Sequence, residues 1–471
     1  MFIRLLIVVL VAAWTAIGRA DGTTAPPNIV VVLVDDLRWD DLGCTGHPFV
    51  QTPNIDRIAR EGASFKNAFA TTPICSPSRG SLLTGLHTNK HGIIDNTERG
   101  EQSHRLKTFP QELQKAGYDT AYIGKWHMGN DNAPRPGFDR WLCLKGQGTS
   151  FDSLANDDGR DIETEGYVTD ILNKESLDFV RKLRTGPFLL YLSHKGLHPE
   201  TAQAADGTLS DPEASNYIPA ARHATQYKGE KVPRRPNSGV APLDKPALQQ
   251  KIAGLKPLGP ETVGSDEDVL NRLRMLSAID EGVGELITAL EEAGQLDNTI
   301  VVVTSDHGYF YGEHGLNVER RLAYEESIRI PLLIRYPARI KAGSQPESMV
   351  QTIDLAPTMV AAAGVEIPSQ YHGRSLWPLL EGSIPADWRD SVLVQYWSET
   401  VFPRINKLGY QAVRDDRWKL IHYTDQPGMD ELYDLQSDPY ELKNLISDPG
   451  ARDELAAMQA KLSKLLAESN R

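Results

Sequence analysis

The chain has 471 residues, 40% of them apolar and 24% charged, an ordinary balance for a globular protein with room for one large domain and a smaller one. Lys and Arg number 50 against 63 Asp and Glu, a formal net charge of -13. This argues against a nucleic-acid partner, which needs a basic footprint to neutralise phosphates. A small anionic substrate stays open, because a few local cations decide the field inside one pocket.

The N-terminus carries Arg4, an apolar run over residues 5–17 broken only by Thr15, and the small residues Gly18 and Ala20 around Arg19. This pattern predicts a secretion signal over residues 1–20, cut before Asp21. The run is shorter than the roughly 20 residues of a spanning helix, and no later segment is apolar enough to span. The protein is therefore expected to be exported, to a periplasm or the exterior, without stable membrane insertion. Three cysteines do not make a disulfide scaffold. Cys44 and Cys143 either pair or are both buried thiols, and Cys75 is left over.

A continuous β-branched run at 28–34 predicts a strand buried on both faces, ending in Asp35 and Asp36. Helix-like stretches follow at 55–61, 81–86 and 109–116, then a short apolar strand at 120–123. A helix at 168–183, a strand at 187–192 and a helix at 269–293 come next. A second buried strand at 299–304 ends in Ser305, Asp306, His307 and Gly308. Strands alternating with helices predict an α/β fold with a largely parallel sheet, and four strand ends carrying polar residues should converge on one site. Residues 200–264, rich in Pro, Ala, Gly and charge, read as an excursion over the pocket mouth or as a plain surface insertion. After about Arg374 the texture changes. Runs at 391–397, 410–413 and 418–423 predict an antiparallel meander, and 454–468 a closing amphipathic helix. The expected division is a catalytic domain over 27–374 and a small α+β domain over 375–471.

Adjacent carboxylates at a strand end repel unless a cation sits between them, and Asp306 occupies the same topological position as Asp35 and Asp36. Such oxygens suit a hard divalent ion. Cys75 lies in Cys75-Ser76-Pro77-Ser78-Arg79, read as a loop leading into a helix, with Leu83-Thr84-Gly85 downstream. A bare C-x-P-x-R arises by chance; the full spacing is specific. On these residues the chain resembles the type I sulfatases, whose fold is alkaline-phosphatase-like, with a large, mostly parallel sheet. The resemblance runs from about residue 27 to 445. It includes Gly124-Lys125-Trp126-His127, Tyr324-Glu325-Glu326-Ser327, and Glu431-Leu432-Tyr433-Asp434 with Asp438-Pro439. Within the family, residues 92–98, 137–141 and 145–148 look nearest the N-acetylglucosamine-6-sulfatase-like group.

The resemblance implies that a formylglycine-generating enzyme oxidises Cys75 to an aldehyde. Its hydrate would offer two hydroxyls on one carbon, one to attack sulfur and one to expel sulfate afterwards. It implies a metal, Ca²⁺ with Mg²⁺ or Mn²⁺ as alternatives, held by Asp35, Asp36, Cys75, Asp306 and His307. Arg79 would steady the charged diol and Lys125 a sulfate oxygen. His127 would be the base, and His198, rather than His194, the acid for the departing alcohol. Two positions depart from the family pattern. His307 stands where many members have asparagine, which opens the choice of metal. Arg320 stands where a lysine is usual, with Arg321 as an alternative, and the two side chains are not interchangeable. The expected activity is hydrolysis of sulfate monoesters on a sulfated carbohydrate, an amino-sugar 6-O-sulfate foremost. A phosphonate monoester or phosphodiester hydrolase, and an inactive secreted glycan-binding homologue, are the rival readings.

Overall fold

A computed structural model describes residues 25–97, 99–200, 216–399 and 401–471. The expected secretion signal, and residues 201–215 of the excursion, lie outside the described residues. The predicted strand at 28–34 is present as Asn28–Val34. Its β-branched side chains are buried on both faces because it is an inner strand, fourth in the order of a nine-stranded sheet. Thr299–Ser305 and Phe188–His194 flank it in parallel, and Asp119–Lys125 and Arg140–Leu144 continue the parallel order beyond Phe188–His194. Antiparallel strands finish both edges: Leu332–Arg335 and Ala63–Ser64 on one, Leu154–Asp157 and Arg160–Glu163 on the other.

The two faces of the first strand bury different partners, as a period of two requires. Val30, Val32 and Val34 pack under the helices Val168–Arg181 and Asp266–Glu292, against Leu172, Leu273 and Ile279. Ile29, Val31 and Leu33 face the helices Phe109–Lys115 and Leu355–Ala362, through Phe109, Leu113 and Met359. In this layered arrangement the parallel strands all point their C-terminal ends the same way.

Four later strands form a separate antiparallel meander: Ser391–Tyr396, Tyr410–Asp415, Trp418–Tyr423 and Glu431–Asp434. The sequence reading found the first three strands and not the fourth. One face packs Leu393, Val413, Leu420 and Leu432 on Met458 and Leu462 of the helix Arg452–Ser469. The other packs Val394, Tyr410 and Tyr423 against Ile74, Phe310 and Tyr324, so the small sheet leans on the segment before Cys75. Leu376, Trp377, Leu379 and Leu380 join the larger core, beyond the expected boundary at 374.

Two local expectations change. Cys75 is not in a loop: it is the first residue of the helix Cys75–Thr84, all ten of whose residues are buried. Pro77 is tolerated there because the first turn needs no amide donors. Cys44 and Cys143 do not pair; both are free, Cys44 exposed and Cys143 buried. Among the described residues no helix is long and apolar enough to cross a membrane.

Candidate active site

Strand ends assemble the site. Asp35 and Asp36 follow Asn28–Val34, Lys125 closes Asp119–Lys125, His198 lies in the turn after Phe188–His194, and Asp306 and His307 follow Thr299–Ser305. The convergence expected from topology is present in space. Ligand atoms of Asp35, Cys75, Asp306 and His307 all lie within 4.8 Å of one another, and all four residues are buried. Cys75 Sγ is 3.4 Å from His307 Nε2. Asp36 stands beside this group rather than inside it. Its carboxylate is 3.5 Å from His307 Nε2 and is paired with Arg320 Nε at 2.8 Å.

Strained backbone sets two of these positions. Asp36 has φ 61° and His127 φ 58°, left-handed values that non-glycine residues adopt at a cost. Gly124 has φ 124°, and a Cβ there would stand 1.9 Å from the carbonyl oxygen of Ser193, so the two strands carrying Lys125 and Ser193 approach more closely than any side chain permits.

Cations hold the carboxylates. Lys125 Nζ pairs with Asp35, and Arg79 pairs with Asp306 Oδ2 at 3.0 Å and approaches Asp35 Oδ1 at 3.6 Å. Arg79 also donates to Ser193 Oγ at 2.7 Å and to the carbonyl of Lys125 at 2.5 Å. Burial alone would raise the Asp35 carboxyl, but Lys125 and Arg79 outweigh it and hold it well below the carboxylate range. Asp306 goes the other way, raised by burial and by Asp35. Burial, then the aspartates, push the Cys75 thiol up to about 12. An unmodified thiol there is a poor nucleophile at neutral pH.

His198 is placed by two hydrogen bonds. Its Nδ1 faces the Pro199 carbonyl at 2.8 Å and its Nε2 faces Arg320 Nη2 at 2.7 Å. A guanidinium only donates, so Nε2 accepts and the ring is neutral with its proton on Nδ1. Burial, Lys125 and Arg320 together hold it well below the usual histidine value. Arg321 points away, to Glu399 Oε2 at 2.8 Å and over the Phe402 ring. Arg320 is thus the arginine that enters the site. His194, the other candidate acid, is fully buried, with neither ring nitrogen hydrogen-bonded.

The chemistry of the donor set itself bears on whether a cation belongs there. Asp35 Oδ1 and Asp36 Oδ2 are buried and make no hydrogen bond, while Asp36 Oδ1 meets Arg320 Nε at 2.8 Å. Orphaned carboxylate oxygens in a dry pocket are costly unless a cation meets them. With one imidazole and mostly oxygen donors, the residues fit a divalent ion of the calcium, magnesium or manganese type.

Sequence reasoning missed several neighbours. Asn96 Oδ1 accepts from the Ser76 amide at 3.0 Å, and Glu399 accepts from the Asn96 amide at 2.9 Å. Lys195 is buried with Nζ 3.4 Å from the carbonyls of His198 and Pro199 and 3.5 Å from Glu200. Arg272 reaches the site from a helix whose apolar periodicity gave no sign of it.

The family described as Sulfatase matches residues 27–365, and one described as N-sulphoglucosamine sulphohydrolase, C-terminal, matches 312–468. An N-acetylglucosamine-6-O-sulfatase of Bacteroides thetaiotaomicron is 34% identical, covering 95% of this chain and 87% of the relative. A multifunctional alkaline phosphatase superfamily protein, PehA, of Trinickia caryophylli is 27% identical over 90% of this chain and 91% of its own. The solved structure of BT4656, in complex with its substrate D-glucosamine-2-N,6-O-disulfate, superposes with a TM-score of 0.82 at 30% identity, covering 94% of this chain and 98% of the other. The chain belongs to the type I sulfatase family of the alkaline-phosphatase-like superfamily, and it is a sulfuric ester hydrolase.

Proposed function

We propose that the protein removes a sulfate monoester from a sulfated carbohydrate, with an amino-sugar 6-O-sulfate foremost, using Cys75 as a formylglycine hydrate beside a divalent cation. The observation that carries this reading is the meeting of Cys75 with the buried Asp35, Asp306 and His307 at one point, beside aspartate oxygens that make no hydrogen bond. The substrate preference is supported by the 6-O-sulfatase relative and by the disulfated glucosamine that BT4656 binds. Residues 27–374 are assigned to the catalytic domain and 375–471 to the smaller one, with residues 376–380 packed on the larger core. Residues 1–20 are assigned to export, to a periplasm or the exterior.

Asp35, Asp36, Asp306, His307 and position 75 would hold calcium, or magnesium or manganese given the imidazole. A cation bound there would lower the pKa of the attacking hydroxyl and polarise sulfate oxygens. Hydrated, an aldehyde at position 75 supplies one hydroxyl to attack sulfur and a second whose deprotonation expels sulfate. Arg79 fixes the side chain at 75 through Asp306, and Lys125 takes a sulfate oxygen as charge builds on it. His127 accepts the proton of the second hydroxyl. Arg320 leaves His198 Nε2 for a sulfate oxygen when substrate enters. The added negative charge then favours protonating the ring from solvent, to which the attacking hydroxyl loses its own proton, and the ring gives its proton to the departing alcohol as the sulfur–oxygen bond breaks.

The test begins with peptide mass analysis of Cys75 after co-expression with a formylglycine-generating enzyme. Turnover is then measured on glucosamine 6-sulfate, an aryl sulfate and a phosphate diester. The sugar sulfate is expected to be fastest, and Cys75→Ser to keep its melting temperature while losing steady-state turnover. A second reading is hydrolysis of phosphonate monoesters or phosphodiesters, in keeping with a relative described as a multifunctional alkaline phosphatase superfamily protein. A diester rate above that on every sulfate would establish it. Normal turnover by Cys75→Ser would sink the aldehyde role.

A further inference from the structure

Two turns must keep a fixed separation for this site to work: the one holding Asp35 and Asp36, and the one carrying His198. They are joined at Leu197, whose amide donates to the Asp35 carbonyl at 3.1 Å. The remaining carbonyls of the junction, those of Asp36 and Leu197, point at one side chain. Arg272, on the helix Asp266–Glu292, donates from Nη2 to the Asp36 carbonyl at 2.7 Å and from Nη1 to the Leu197 carbonyl at 2.8 Å.

The guanidinium is only 1% exposed, and it has no close carboxylate: the nearest oxygen of Asp36 is 3.9 Å away. Its charge rests instead on the two carbonyls and on aromatic faces. The Tyr309 ring centroid lies 3.9 Å from Cζ and that of Tyr217 lies 5.3 Å away, while the two phenols share a 2.8 Å hydrogen bond. Nε completes the set on the Tyr311 hydroxyl at 3.3 Å, which in turn donates to Asp41 at 2.6 Å. Burying a cation without a directly paired anion is expensive. A planar fork resting flat on a ring can span two carbonyls from different turns, which a single ammonium cannot.

We propose that Arg272 is a positioning residue: its fork locks the left-handed Asp36 turn to the 196–198 turn, so that the metal-side carboxylates and His198 address the same sulfate. Arg272 joins the two turns through their backbone carbonyls, whereas Arg320 reaches the side chains of Asp36 and His198. The kinetic part of this inference rests on the function proposed above. Its metal-binding part does not.

The variants are Arg272→Lys and Arg272→Gln, each assayed with Cys75 conversion quantified by peptide mass so that rates refer to modified protein. The expected result for both is a melting temperature within a few degrees of the parent and KM within about threefold. The turnover number should fall about 10²-fold, the scale of a misplaced reacting group. In a Cys75→Ala background, where no turnover is possible, titration calorimetry should show Ca²⁺ binding weakened about tenfold by Arg272→Lys, as for loss of support behind a ligand. Millimolar guanidinium should restore part of the rate of Arg272→Ala. A strut with no role at the site gives a different result: lower thermal stability with turnover per modified molecule unchanged. That result, unchanged Ca²⁺ affinity, or failure of both the Lys and Gln variants to fold at room temperature would overturn the proposal. If the parent hydrolyses no sulfate ester but the Ca²⁺ difference appears, the functional reading fails and this one stands.

Discussion

Arg320 occupies a crowded position, between the Asp36 carboxylate and His198 Nε2, with Tyr309 beneath it. On the proposed mechanism its charge is shared by two groups that need it differently before and after substrate enters. Arg320→Lys keeps the charge but reaches only one of these partners at a time, whereas Arg320→Ala leaves both bare. The expected loss in turnover is within about tenfold for lysine and about 10²–10³-fold for alanine, the range seen when one preorganised donor is removed. Steady-state kinetics on an aryl sulfate measures both, and equal rates for the two variants would remove Arg320 from the reaction. The sequence marked position 320 as unusual but could not choose between Arg320 and Arg321. That choice depends on Glu399, distant in sequence, which draws Arg321 away.

At the scale of elements, legibility followed the strength of the local pattern. Asn28–Val34 was readable to the residue because an uninterrupted β-branched run has one good use, the middle of a parallel sheet. Helix ends drifted by two or three positions, and Cys75–Thr84 was read as starting at residue 81 because Cys-Ser-Pro-Ser has poor helix propensity. Tertiary burial overrides that preference: every side chain of this helix is enclosed. The close crossing at Gly124 was invisible, since nothing local states that Ser193 lies against it. Gly124→Ala should cost about 2–3 kcal/mol, from an unfavourable φ and overpacking. It should also lower kcat/KM at least tenfold by displacing Lys125. Urea unfolding and kinetics check the two parts; a fully stable, fully active variant would mean that the strands can separate freely.

Across the whole molecule, buried histidines tie stability to acidity. His91 Nε2 sits 3.1 Å from Ser81 Oγ and Nδ1 accepts from the Ile93 amide at 3.1 Å. Burial, with His372 nearby, pushes the ring down to about 3. A histidine kept neutral in the fold takes up a proton on unfolding below its ordinary value near 6.5. Its effect is therefore absent above that pH and grows more destabilising as pH falls toward 3. The contribution is up to about 1.4 kcal/mol per pH unit. His91→Gln should make the fall in unfolding free energy between pH 6.5 and 4 shallower by about that slope, read from urea titrations at stepped pH. Parallel profiles for parent and variant would contradict it.

The small sheet has its own bearing on when the protein becomes a catalyst. Glu399 braces Asn96, which holds the amide next to Cys75, across 303 positions of sequence. Gln395 donates to the Thr71 carbonyl at 2.9 Å, and Lys419 bonds the Ala323 carbonyl at 2.9 Å and pairs with Glu325 at 2.8 Å. The surroundings of Cys75 are thus completed by the small sheet and the loop that follows its first strand. On the proposed reading, a chain that has formed only its parallel strands is expected to be inactive until the meander packs against it.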